Sequence, residues 1–506
     1  MNWKWMLCAW MLGALTCAAE VRLPHVFSDH AVLQREMPLR VWGWSLPGEE
    51  VSVSFHDQTV KATADDSGEW ELFLKPEKAG GPYAMKVSGT STSKPVVVND
   101  LLVGDVWVAS GQSNMEFPLR GWPGAPMKDS AKEIASASRP QIRLMHLKRA
   151  ATASELADTA AMWQECTPET AQSFSAVAYL FGRELNDQEH VPIGLIDTTW
   201  GGTPVSSWIS TDGIAAGNLT STLADEATVV QAQSHADAAI ANLNAQNALL
   251  KAAGKPQLKM PRVGGDHQGA WLVSSLYNGM IAPLTRYGIK GVIWYQGESD
   301  EIAPRARNYF RAFPALITDW RHQWGEGDFP FLYVQISSYM RHQEMWGAVR
   351  DAQRRTLSLR GTGQAVSLDV GEFNQIHPAD KQSVGHRLAL LARSDVYGEN
   401  VESHSPEFLR ATPEGSAMRV WLAHGEALSH RTVGDQKDVE VAAADGNFAA
   451  ADVKIEMING QATLLVSSPK VTHPVFVRYA WGGAVGEYFY NKAGLPLGTF
   501  TTAPLQ

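Results

Sequence analysis

Between Asn99 and Tyr397, short apolar runs alternate with amphipathic segments, and no other feature of the chain constrains its fold as strongly. The strand candidates are Leu102–Ala109, Ile142–Leu147, Val191–Ile196, Ile289–Trp294, Phe331–Gln335 and Ala365–Leu368. Helical spacing marks stretches such as Val177–Leu185 and Asn308–Trp320 among them. Parallel strands need long crossovers, and helices that supply them also cover the sheet, so the pattern predicts an α/β unit over 99–397 with helices on both faces of a mostly parallel sheet. Its rhythm breaks at about 211–265. That interval is Ala-rich, carries Ile240, Leu243 and Leu250 at helical spacing, and stops at Gly254-Lys255-Pro256. It predicts a helical insertion, either a lid or substrate wall or a decoration with no role in binding.

At 506 residues the chain exceeds what one hydrophobic core organises, and both flanks read differently from the middle. Leu39–Trp44, Val51–Phe55 and Glu69–Leu74 alternate at period two and are separated by turns such as Pro47-Gly48 and Asp65-Asp66-Ser67-Gly68, which predicts a β-rich domain over 20–98. After Tyr397 the strand pattern returns in Met418–Leu422, Ala462–Val466 and Val475–Tyr479, predicting a second β-rich domain over 398–506. At the amino end, Lys4, an apolar run from Trp5 to Thr16, and small residues up to Ala19 read as a signal peptide over 1–19. This implies an exported protein: periplasmic, at the cell surface, or secreted. The run is shorter than the ~20 residues a membrane span requires. Ala14-Leu15-Thr16 is a poor lead-in for lipid attachment at Cys17.

A formal charge of -10, with no clustered Lys/Arg run, argues against a nucleic-acid partner. Cys166 is the sole cysteine beyond the signal, so the mature chain offers no intrachain disulfide and no Cys-based metal site. No His-Glu-x-x-His or dinucleotide fingerprint is present, and the expectation is no cofactor and no metal.

Chemistry concentrates where the apolar run Val106-Trp107-Val108-Ala109 stops at Ser110-Gly111-Gln112-Ser113-Asn114-Met115. A buried strand that ends at Gly places Ser113 on a tight turn at the sheet's carboxyl edge, where its hydroxyl is exposed and backbone N–H groups can face an oxyanion. The strict Gly-x-Ser-x-Gly form is not met, because Met115 replaces the second Gly. Acyl transfer also needs a base. His377, set before Pro378 and just ahead of a helix marked by Val384, Leu388 and Leu391, is the candidate, because an imidazole can accept a proton near neutrality.

Gly111–Met115, Trp200-Gly201-Gly202-Thr203, Trp294–Ser299 and Ile376-His377-Pro378, in this order, resemble the sialate O-acetylesterase family of SGNH hydrolases. The resemblance extends to Asp29–Gln34, Val477–Trp481 and Asn491–Pro496, and so covers nearly the whole mature chain. It implies a three-layer α/β/α, flavodoxin-like catalytic domain flanked by the two β-rich domains. It also implies Ser113 as nucleophile, His377 as base, and an oxyanion hole made by the N–H of Ser113, that of Gly202 (or less readily Gly201) and the side-chain amide of Gln296. The chain departs from the family at the third triad position. Where an Asp often stands two or three residues before the histidine, this chain has Gln375 and Asn374. A Ser-His pair oriented by a backbone carbonyl is preferred here, with Asp369 and Glu298 as alternative orienting carboxylates. Trp122, Trp200, Trp208 and Trp294 lie near these segments and are candidate faces for a sugar ring, with packing as the alternative.

The resulting expectation is an exported serine esterase that removes O-acetyl groups from a carbohydrate, either sialic acid or an acetylated polysaccharide, through an acetyl-enzyme. Two rivals stand beside it: a catalytically degenerate carbohydrate-binding protein on the same scaffold, and an esterase for longer acyl chains.

Overall fold

The computed structural model describes residues 21–91, 94–219, 269–340 and 345–504, with short helical pieces at 246–248 and 251–252. The signal segment and most of the expected insertion lie outside the described residues; within the latter, Thr211–Ala216 forms a helix. Among the described residues no helix is long and apolar enough to cross a membrane.

All six strand candidates of the middle region are strands of one sheet. Its order is Thr362–Val366, Phe331–Gln335, Gly291–Tyr295, Val96–Gly111, Ile193–Thr199, Arg139–His146 and Trp163–Cys166. Every pairing is parallel except the last, in which Trp163–Cys166 runs antiparallel to Arg139–His146. After the central strand Val96–Gly111 the chain first builds outward on one side, then crosses to the other. The carboxyl end of Val96–Gly111 is therefore the switch point of the sheet, where open α/β sheets bind their ligands.

Side-chain alternation sends neighbouring residues to opposite faces. Trp107, in register with Gly291, packs edge-on against Phe181 of the helix Ala176–Glu189. Trp294, three residues on from Gly291, points to the other face and packs on Phe313 and Trp320 of the helix Ala303–Trp324. Ala176–Glu189 packs with Lys381–Asp395, and Ala303–Trp324 with Trp346–Arg355, so each face carries one helix pair and the three layers are complete.

The central strand also departs from expectation. A boundary at 98/99 falls inside Val96–Gly111: the first part of this strand pairs with Gly80–Gly89 and Val32–Gln34 of the amino-terminal β region, and the second part with the hydrolase sheet. Here Asp100 takes a positive φ of 52° and bends the strand without ending it.

The carboxyl-terminal β region has its own core of Val420, Leu464, Val477, Phe489 and others, which continues into Val366 and Leu368 of the hydrolase unit. Arg350 joins the two regions more sharply. Its guanidinium is fully buried and has no carboxylate partner among the described residues; it donates to the carbonyls of Ile336, Ser337, Ala480, Gly482 and Gly483. Burial pulls its pKa down to about 9. The loop after Phe331–Gln335 is thereby held to the loop after Phe476–Tyr479.

Candidate active site

Ser113 opens the short helix Ser113–Glu116 directly after the central strand. The turn that delivers it depends on Gly111, whose φ is 128° and whose missing Cβ would lie 2.3 Å from the carbonyl oxygen of Tyr295. The next residue ties this turn to the neighbouring strand end. Gln112 N–H donates to Tyr295 O at 3.0 Å, and its side-chain oxygen accepts from the N–H groups of Gly297 and Ser299 at 3.3 and 3.1 Å. Among the described residues the Ser113 hydroxyl and its N–H make no hydrogen bond. Both face a surface the fold leaves open, since Ser113 is only partly buried.

The Trp200–Thr203 segment, which follows strand Ile193–Thr199, forms one wall. A Cβ on Gly201 would come within 3.2 Å of Ser113 Cβ, so only glycine allows this approach. Gly201 N–H donates to Glu116 Oε2 at 2.6 Å, whereas Gly202, at φ 74°, has no acceptor for its N–H among the described residues. This difference favours Gly202 over Gly201 as a donor to substrate.

Gln296 does not fit its expected role. Its amide nitrogen donates to Thr203 O at 3.1 Å and to Asp300 Oδ2, and its oxygen accepts from Tyr309 at 3.0 Å. An amide nitrogen has two hydrogens, and here both are occupied. Gln296 is fully buried and braces the Thr203 end of the loop; no hydrogen is left to face an oxyanion.

On the other side of Ser113 stands the loop that carries His377. Its ring meets Trp122 edge-on with centroids 4.9 Å apart, and Phe117 lies 6.3 Å away. Burial first, and the Lys381 ammonium second, push its pKa down to about 4. The ring is therefore neutral at pH 7, as a base must be before it accepts a proton. Among the described residues no carboxylate hydrogen-bonds to it. Asp369, one of the two alternative orienters, has both oxygens held by Arg387 at 2.7 and 2.8 Å. Glu298, the other, accepts from Asn114 Nδ2 at 2.5 Å through Oε1, and its buried Oε2 has no hydrogen-bond partner among the described residues.

What positions His377 is a cluster that sequence reasoning missed. Asn114, next to Ser113, also donates to Ile376 O at 3.0 Å, so the residue after Ser113 grips the residue before His377. Lys381, fully buried, donates to Asn114 Oδ1 at 2.6 Å and lies 4.7 Å above the Phe117 ring. Burial drives the Lys381 pKa down to about 7 against the opposing pull of Glu298, Glu372 and Asp380, and burial likewise raises that of Glu298. A lysine at the first position of a helix that packs against the sheet, four residues after His377, was the available signal.

This geometry has relatives. A family model described as carbohydrate esterase, sialic acid-specific acetylesterase matches residues 103–237 and 257–392, more than half of the chain. The chain belongs to this family of carbohydrate esterases. Sialate O-acetylesterase of Homo sapiens is 32% identical over 95% of this chain and 92% of its own length, and that of Mus musculus 29% identical over 95% and 94%. A solved carbohydrate acetylesterase from Xanthomonas citri superposes with a TM-score of 0.80 at 33% identity, covering 96% of this chain and all of that one. The protein is thus an ester hydrolase, and the esterase fold spans both β regions as well as the central sheet. Of the four tryptophans near its motifs, Trp208 and Trp294 are fully buried core, Trp200 is nearly so, and Trp122 alone stands half-open beside His377.

Proposed function

We propose that this esterase is exported, with cleavage after Ala19, and removes O-acetyl groups from sialic acid or an acetylated oligosaccharide through an acetyl-enzyme formed on Ser113. Ser113 Oγ attacks the acetyl carbonyl carbon while His377 takes the hydroxyl proton. The carbonyl oxygen becomes an oxyanion received by the N–H groups of Ser113 and Gly202. The C–O bond to the sugar then breaks, and His377 returns its proton to the departing sugar oxygen. Water repeats the sequence on the acetyl-enzyme: His377 accepts its proton, and acetate leaves as Ser113 recovers it. In this scheme His377 works as a dyad partner, with the grip of Asn114 on the preceding Ile376 carbonyl and the aromatic walls keeping the ring in place. The hydrolase region does the chemistry, and the two β-rich regions brace it.

The observation that carries this reading is the pair of unengaged N–H groups at Ser113 and Gly202, on two strand ends that the missing Gly201 side chain lets come together. The test is acetate release by wild type and Ser113→Ala from a chromogenic acetyl ester, combined with covalent labelling by an organophosphate. Loss of turnover in a folded variant, with labelling confined to Ser113, supports the esterase mechanism; an unlabelled, inactive wild type would point to a carbohydrate binder. Comparing acetyl with butyryl esters separates an acetylesterase from one for longer chains. Acetate release from acetylated sialic acid, xylan and mannan fragments then identifies the sugar.

A further inference from the structure

The loop that offers Gly202 N–H is anchored on both sides of that residue, and one anchor comes from the nucleophile's own turn. Glu116 lies three residues after Ser113, on the same short helix. Its Oε2 accepts Gly201 N–H at 2.6 Å, and its Oε1 is paired with Arg149. A Cβ at Gly201 would sit 2.9 Å from this Oε2 and 3.2 Å from Ser113 Cβ, so Gly201 lies against both Glu116 and Ser113. On the far side of Gly202, Thr203 is held by its carbonyl to Gln296, by its hydroxyl to Trp200 O at 2.7 Å, and by Trp208 Nε1 at 3.0 Å.

With both of its oxygens occupied, the Glu116 carboxylate has little to offer a substrate, and its side chain is only 17% exposed. What it does control is the direction of a peptide. A glycine pair has wide backbone freedom, and without an acceptor at Gly201 N–H two adjacent donors would compete for one oxyanion. Taking up the first N–H leaves the second pointing where the carbonyl oxygen of substrate arrives. Donors fixed in advance need no reorganisation in the transition state, which is what gives an oxyanion hole its effect.

We infer that Glu116, backed by Arg149, is a positioning residue that presents Gly202 N–H to the oxyanion by holding Gly201 N–H out of the hole. Arg149 in turn lies over the Trp200 indole at 5.5 Å, so the cation that steadies Glu116 is itself seated on the loop being positioned. The inference rests on the reading of Ser113 as nucleophile.

The experiment compares Ser113→Ala, Glu116→Ala and Glu116→Gln for kcat and KM on a chromogenic acetyl ester, for inhibition by a methyl trifluoromethyl ketone, and for Tm. The ketone adds a serine to give an oxyanion and so reports the hole directly. Glu116→Ala is expected to lose about 10²-fold in kcat, the scale of one oxyanion donor, with KM nearly unchanged and the ketone weakened by a similar factor. Glu116→Gln keeps an oxygen that accepts Gly201 N–H and is expected to recover most of that loss. Full activity in Glu116→Ala, or a Glu116→Gln no better than Glu116→Ala while Tm is unchanged, overturns the inference. If Ser113→Ala retains turnover, the nucleophile reading fails and takes the inference with it; if Ser113→Ala is silent while Glu116→Ala is fully active, only the inference fails.

Discussion

The two sides of Ser113 are built on opposite principles. On the oxyanion side the loop Trp200–Thr203 is tied by polar contacts at residue after residue: Trp200 N–H to Gly111 O, Gly201 to Glu116, and Thr203 to Gln296 and Trp208. On the base side the His377 ring has no hydrogen bond among the described residues and is placed by aromatic edges and by the grip of Asn114 on the preceding carbonyl. In the proposed mechanism the donors must meet a charge at one fixed point, whereas the base must reach first toward a serine and then toward a sugar oxygen or a water. Rigid hydrogen bonding suits the former and shape confinement the latter.

The largest expected effect tests whether the two sides serve one reaction. Ser113→Ala and His377→Ala should each cost at least 10⁴-fold in kcat, approaching the roughly 10⁶-fold seen when one member of a concerted serine site is removed, and the double variant should be no worse than either. Additive losses in steady-state acetate release would mean the two residues do not act as a unit.

Gln296→Ala sharpens the oxyanion side. As a brace, Gln296 leaves a buried carbonyl and a buried Asp300 carboxylate short of a donor when it is lost, so thermal unfolding should show a drop on the order of 1–3 kcal/mol, with turnover falling as well. A direct donor would instead cost 10²–10³-fold in kcat with little change in Tm.

Trp122→Ala probes the base side and should act chiefly through pH. Burial is the main reason His377 is held at about 4, so opening its wall to water moves the pKa up toward the ordinary 6.5. A base is active when deprotonated. The acid limb of kcat/KM should therefore move to higher pH, with activity lost between roughly pH 4 and 6.5 where wild type still works. An unmoved limb would show that the limb does not report His377. The smallest effect is expected from Asp369→Asn: it disturbs the bidentate pair with Arg387 and lowers Tm, but leaves the acid limb where it was, because this carboxylate does not touch the histidine.

What could be read in advance follows the same division. The parallel sheet was legible because strands buried on both faces carry apolar runs, and Ser113 because such a run ends on Gly111. Trp163–Cys166 escaped notice: it is an edge strand of four residues whose middle pair, Gln164 and Glu165, faces solvent. Gln296 was placed by the family resemblance, yet an amide's role depends on which acceptors surround it, and Asp300, four residues later, takes one of its hydrogens. Glu116 sat unnoticed one residue past the serine motif because an exposed-looking acidic residue after a helix start has an ordinary explanation until Gly201 is seen beside it. The strand Val96–Gly111 runs through the expected boundary at 98/99, because Asp100 bends it without ending it.

Arg350 has a consequence in the order of synthesis. As the chain emerges, the helix that bears Arg350 is complete long before Ala480, Gly482 and Gly483, which supply three of its five carbonyl acceptors. Until those residues arrive, a guanidinium destined for full burial lacks most of its partners, and the loop from Ile336 to Tyr339, whose Met340 neighbour donates to Phe373 O in the histidine segment, lacks its outer support. A chain that stops short of Ala480 therefore holds both Ser113 and His377 but lacks three of the carbonyls that seat the buried Arg350.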